Sequence, residues 1–180
     1  MVKADDFKLL SSRLMFDGWL KVWQDEVLLP NKVKGTFTYA QQRDAVTILP
    51  VTEKNEAVMI EQYRVPVKRV FLEFPAGLME PGENMIEAAQ RELEEETGYH
   101  AGKMVHMLSC HPTTGQMKFT LHIFFASQLV KTKPRPEATE CLDIKLVPIS
   151  MLKPLLEKGV VETSMLLAYY VAKDKGFINV

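Results

Sequence analysis

PAGLMEPGENMIEAAQRELEEETGY, residues 75–99, is the stretch on which the fold turns. It opens as a loop broken by Gly77, Pro81 and Gly82 and changes character at Asn84. Asn84 is a good N-cap, and Glu87, three residues on, completes a capping-box pattern. Ile86, Ala89 and Leu93 recur at helical spacing and predict an apolar stripe. Gly98 suits the left-handed position that ends a helix. A helix is therefore predicted over 84–97.

That helix is unusually acidic. Glu83, Glu87, Glu92, Glu94, Glu95 and Glu96 stand against a single basic residue, Arg91. Glu92 lies three and four positions before Glu95 and Glu96, so these carboxylates share a face. Like charges at that spacing repel by about a few tenths of a kcal/mol per exposed pair. Arg91, four residues from both Glu87 and Glu95, is expected to offset part of this. Such a face is either a solvated surface or a seat for a divalent cation. Mg²⁺ takes carboxylate and water oxygens and sits readily beside substrate phosphates. Gly77 and Gly82 let backbone approach a ligand closely. Loop, cap and carboxylates together point to metal-assisted work on an anion.

Working outward, residues 13–29 carry aromatic and aliphatic positions around a turn signal at Asp17-Gly18. Residues 33–39, 45–51, 57–63 and 71–74 read as strands before the helix. Residues 103–109, 119–130 and 143–147 read as strands after it, and 150–159 and 161–174 as helices. Strands around a central helix, with helices at the end, predict an α+β fold rather than a doubly wound sheet. A length of 180 residues suits one domain with a small extension. With 47% hydrophobic and 25% charged residues, disordered and fibrous classes are excluded. The net charge of −1 lacks the basic excess of duplex binders, so no nucleic-acid partner is expected. The acidic opening MVKADDFKLL does not fit a secretion signal, and no run approaches the roughly 20 apolar residues of a membrane span. Cys110 and Cys141 have no CxxC spacing, so reduced thiols and a cytoplasmic location are expected.

Gly77, five residues, Glu83, seven residues, then Arg91 through Tyr99 resembles the Nudix box at every fixed position. Tyr99 stands in a slot that is usually aliphatic. The resemblance implies a Nudix-type α/β/α sandwich, here with an N-terminal β extension, and metal-dependent hydrolysis of a nucleoside diphosphate linked to another group. It implies Mg²⁺, or Mn²⁺ in its place, held by Glu92, Glu95 and Glu96 and by the carbonyl of Ala76. Arg91 would orient the glutamates and join Glu95 in the catalytic set, while Glu83 supports loop and helix. The hydrolase domain would span 46–180.

Glu61-Gln62-Tyr63-Arg64 and Leu72 through Gly77 resemble the ADP-ribose and nucleotide-sugar pyrophosphatase branch. That branch implies that Arg64 and Glu73 line the substrate site, and that residues 1–45 build a homodimer through N-terminal strands. Leu14, Phe16, Trp19, Leu20 and Trp23 concentrate large apolar groups there. The substrate would be ADP-ribose or a nucleotide sugar such as GDP-mannose, cleaved to a nucleoside monophosphate and a sugar phosphate. Pro112 lies near, but not at, the position of a proline common in ADP-ribose enzymes, so both substrates stay open. The alternatives are a nucleoside triphosphate or dinucleotide polyphosphate hydrolase, and a non-catalytic ligand sensor. The first is disfavoured by the N-terminal strands and the Leu72–Gly77 motif, the second by the retained glutamates. No Asp or Glu lies between Glu96 and Glu137. Any later carboxylate is therefore Glu137, Glu140 or Asp143, and the resemblance to that branch, in which a loop glutamate before a late strand often activates the water, implies Glu140 as general base with Glu137 in reserve. The Lys131–Thr139 segment, with two prolines and few apolar anchors, is expected to move before substrate binds. His111 is a minor phosphate candidate, and His122 is expected to be a packed or solvated strand residue.

Overall fold

Two β-prone runs fold back at Asp17-Gly18 as an antiparallel pair, β1 (Lys8–Phe16) and β2 (Lys21–Leu28). β3 (Lys34–Gln41) continues this sheet, and β9 (Met117–Lys118) joins it in parallel from far along the chain. These strands belong to one compact unit, residues 1–43 with 111–120; residues 44–110 with 121–180 form the other. The computed structural model describes residues 3–136, 138–139, 141–159 and 161–179. β1 is exposed along its whole length, and Trp19 is 78% exposed.

The larger unit contains β4 (Ala45–Pro50), β5 (Glu56–Arg64), β6 (Arg69–Glu73), β7 (Ala76–Leu78), β8 (Tyr99–Cys110), β10 (Leu121–Lys131) and β11 (Leu142–Pro148). Its helices are α1 (Met85–Thr97), α2 (Ile149–Lys158) and α3 (Thr163–Asp174). One sheet has the order β7-β4-β10-β8, with β4 and β10 parallel, and the other β11-β5-β6. β4 is buried on both faces from Val46 onward, the pattern of a strand covered on two sides. Val46, Ile48, Phe124 and Ala126 pack with Ala88, Ala89 and Leu93 of α1. The alternate positions face the opposite way, and there Phe125 stacks on Phe177, beyond α3, at 4.9 Å. Helix, sheet and helix form an α/β/α sandwich. Among the described residues no helix is long and apolar enough to cross a membrane.

Local signals set α1. Asn84 Oδ1 accepts from the Ile86 and Glu87 amides, both at 3.0 Å, and Glu87 accepts from the Asn84 amide at 3.2 Å. Gly98 takes φ 66°, as its helix-ending place requires. Tyr99 departs from the usual aliphatic residue because its ring is 9% exposed and belongs to the core beneath α1. One expectation needs correction. Residues 76–78 read as loop, yet they form β7, because the edge of buried β4 must pair its backbone. The first residues after β10 make backbone hydrogen bonds to the end of α1. The Thr132 amide donates to the Gly98 carbonyl at 2.7 Å and the Arg135 amide to the Glu95 carbonyl at 2.9 Å. Pro134 closes against Gly98, where a Cβ would fall 2.6 Å from the proline ring.

Candidate active site

Arg91 sits among carboxylates and is largely enclosed. Its Nε and Nη2 donate to Glu83 at 2.9 and 3.0 Å, and its Nη1 to Glu92 at 2.8 Å and Glu95 at 3.2 Å. Nη2 also reaches the Leu78 carbonyl at 3.1 Å, tying β7 to the helix. The hydrogen bonds to Glu83 raise the guanidinium pKa further, against the opposing effect of burial. The predicted pairing with Glu87 is corrected: that carboxylate serves the N-cap, and Glu83 and Glu92 join Glu95 around the arginine.

The loop backbone lies directly on the acidic face. Glu96, 3% exposed, accepts from the Ala76 amide at 2.9 Å. Glu92 is 8% exposed, and a Cβ on Gly77 would fall inside its carboxylate. Glycine is therefore required at 77 by close approach. Gly77→Ala is expected to displace Glu92 and lower kcat/KM about 10²-fold, the scale of an ångström misplacement in a catalytic set. Gly115→Ala, which adds its methyl to open space, is the control and should retain full activity. Equal activity of both variants would show that the Gly77–Glu92 contact does not position the site.

Around this loop Glu83, Glu92 and Glu95 pair with Arg91, and Glu96 accepts from the Ala76 amide, so four carboxylates gather at one place. All the donors are oxygens, two of the carboxylates are buried, and the charge calls for a cation. In chemistry this set fits a hard divalent ion such as Mg²⁺. Among the described residues no three His, Cys, Asp or Glu side chains are gathered at ligand spacing; Arg91 holds Glu92 and Glu95.

Arg64 and Glu73, read separately from the sequence, meet each other. Arg64 Nε donates to both Glu73 oxygens at 3.1 and 3.0 Å, and Nη2 makes a further close contact. Glu73 is buried at 3% exposure, whereas the Arg64 side chain is 41% exposed. Burial is the largest single influence on Arg64 and lowers its pKa, but the hydrogen bond and charge of Glu73, with the charges of Glu96 and Glu162, together outweigh it and leave the pKa raised. The pair thus lies in the field of the helix carboxylates. Glu162 is absent from the acids singled out in the sequence. It caps α3, accepting from the Ser164 amide at 2.7 Å. An acid two residues before Ser164 at the head of an apolar run was the available signal.

A cavity of about 650 Å³ opens along one flank of α1, lined in part by Gln90, Arg91, Glu94, Glu95, His100 and Arg135. Glu137 and Glu140 lie outside the described residues. His111 belongs to the smaller unit and shares a hydrogen bond with the Phe119 carbonyl at 2.9 Å.

The NUDIX domain family matches residues 41–168. The chain is 30% identical over 172 residues to a methanol dehydrogenase activator of Bacillus methanolicus, covering 93% of each. It is 29% identical over 151 residues to an ADP-ribose pyrophosphatase of Bacillus subtilis, covering 83% of this chain and 82% of that one. A solved structure described as an ADP compounds hydrolase superposes with a TM-score of 0.87 over 97% of both chains; at 24% identity this is a likeness of fold. With a match that takes in the whole carboxylate helix and the sheet beneath it, the chain belongs to the Nudix family, as a pyrophosphohydrolase.

Proposed function

We propose that the protein hydrolyses the pyrophosphate bond of ADP-ribose or a close ADP-sugar, releasing AMP and a sugar phosphate. The relative named an ADP-ribose pyrophosphatase supports the substrate class. The observation that carries the chemistry is the Arg91-ordered carboxylate helix with the Ala76–Gly77 backbone pressed against it. Glu92, Glu95, Glu96 and the Ala76 carbonyl would hold Mg²⁺, with Mn²⁺ able to replace it. Such an ion, when bound, offsets phosphate charge and lowers the pKa of bound water. Arg91 keeps Glu92 and Glu95 aimed, and Glu83 fixes Arg91 in turn. Arg64, held by buried Glu73, offers its exposed edge to the substrate. Glu140 takes the proton of the attacking water, with Glu137 in reserve. The two free thiols suit the cytoplasm.

The test is a substrate panel of ADP-ribose, GDP-mannose, other nucleotide sugars and nucleoside triphosphates with Mg²⁺, with products identified. AMP and ribose phosphate from ADP-ribose, at the highest kcat/KM of the panel, are expected. Preferred release of pyrophosphate from triphosphates would overturn the assignment.

The N-terminal sheet makes the protein a homodimer in this proposal. Leu9, Phe16, Trp19 and Phe37 are all exposed on it, a concentration typical of interfaces. Light scattering at micromolar concentration should return twice the 20.5 kDa chain mass. A value equal to one chain would reject the dimer.

A further inference from the structure

His106 on β8 and His122 on β10 aim ring nitrogens at one hydroxyl. Ser109 Oγ lies 2.8 Å from His106 Nε2 and 2.7 Å from His122 Nδ1. His106 and Ser109 are three residues apart, which in a regular strand would put them on opposite faces. The ladder is not regular here. Leu108 pairs with Ile123 and His106 with Phe124, so Met107 is passed over and the strand shifts by one. That bulge brings both side chains to the face where His122 stands, directly opposite Ser109. The His106 ring packs at 5.3 Å on Phe124, a fully buried residue of the core under α1, which restricts its rotamer. The two imidazole centroids are 6.1 Å apart.

We propose that His106 and His122 form a binding site for a borderline transition-metal dication, Zn²⁺ in the first place, separate from the carboxylate helix. The serine hydroxyl has one hydrogen and can donate to only one of the two rings; the other ring must donate to it. A cation has no such restriction and accepts both nitrogen lone pairs. Zn²⁺ sits about 2.0–2.1 Å from imidazole nitrogen, roughly 0.7 Å nearer than the hydroxyl, a distance that small side-chain rotations supply. Neutral imidazole is the ligand form. Burial lowers the His122 pKa, Asp44 acts in the opposite direction, and His106 lowers it further. The Asp44 charge also offsets part of a dication's. Protons compete with a metal ion for imidazole nitrogen, so Zn²⁺ affinity should fall at acidic pH. Imidazole nitrogens favour Zn²⁺, Cu²⁺ and Ni²⁺ over Mg²⁺, while the all-oxygen set on α1 suits Mg²⁺, so the two sites are told apart by ion.

The experiment titrates the EDTA-stripped full chain with Zn²⁺ by calorimetry in saturating Mg²⁺, which occupies oxygen donors. One equivalent of Zn²⁺ with low-micromolar affinity is expected. Binding should weaken about tenfold or more in His122→Ala and in His106→Ala. His106→Asn keeps polar bulk on Phe124, so a loss there too separates ligation from packing. Ser109→Ala should bind within a few-fold of the parent, because the hydroxyl is a bridge and not a required ligand. Cu²⁺ in place of Zn²⁺ should show nitrogen hyperfine coupling by electron paramagnetic resonance, lost in the double histidine variant. Mg²⁺-dependent hydrolysis should be unchanged in all of these. A double variant that binds Zn²⁺ within tenfold of the parent, or a parent that binds no tighter than millimolar, overturns the site.

Discussion

Glu96→Gln is expected to lower turnover by roughly 10²-fold or more while leaving the fold intact. The side chain is buried, and one of its oxygens accepts from the Ala76 amide at 2.9 Å. Glutamine keeps an oxygen acceptor there, so the loop stays docked on the helix and the melting temperature should change little. What disappears is one negative charge from the cluster that Arg91 orders through Glu83, Glu92 and Glu95. The variant separates the electrostatic role of Glu96 from its structural one. Two readouts are needed: kcat in EDTA-treated, Mg²⁺-restored enzyme, and Mn²⁺ affinity by electron paramagnetic resonance. Both should fall together. Full activity under these conditions would sink the assignment of Glu96 to the metal.

Replacement of the late-loop acids should separate chemistry from binding. Glu140→Gln is expected to lower kcat by about 10²–10⁴-fold, the usual cost of losing one general base, with KM and metal affinity within a few-fold of the parent. Glu137→Gln is the companion variant and should remain near normal. The reverse result would move the base to Glu137. If neither variant is impaired, the water is activated on the carboxylate helix alone. The anchoring of the preceding segment bears on this. Thr132 and Arg135 bind the carbonyls of Gly98 and Glu95, and Pro134 packs on Gly98. The chain that leads to these acids is therefore registered against the last turn of the helix that carries Glu95 and Glu96.

The helix was legible because its signals are local. An N-cap, its reciprocal glutamate and a left-handed glycine act within one or two turns, and each is found in place at Asn84, Glu87 and Gly98. The same locality misled the account of Arg91. Spacing of four residues nominated Glu87, but Glu83, eight residues away, holds both Nε and Nη2. A side chain as long as arginine reaches past its own turn whenever a loop folds back over it. The Arg64–Glu73 pair was hidden for a related reason. Each residue looked like an isolated charge in a strand, and only the pairing of β5 with β6 puts one in reach of the other.

Sequence by itself determined the α+β class, the helix with its ends and charge, and the box that marks the family, because all of these are written in short-range spacing. Tertiary structure decided the rest. Gly77 is required by a carboxylate fifteen residues away, a contact visible only once β7 lies against α1. Tyr99 is tolerated because the core beneath the helix has room for a ring. The bulge at Met107 puts His106 and Ser109 on the face where His122 stands. In each case strand pairing and register, which no local propensity specifies, set the deciding distance.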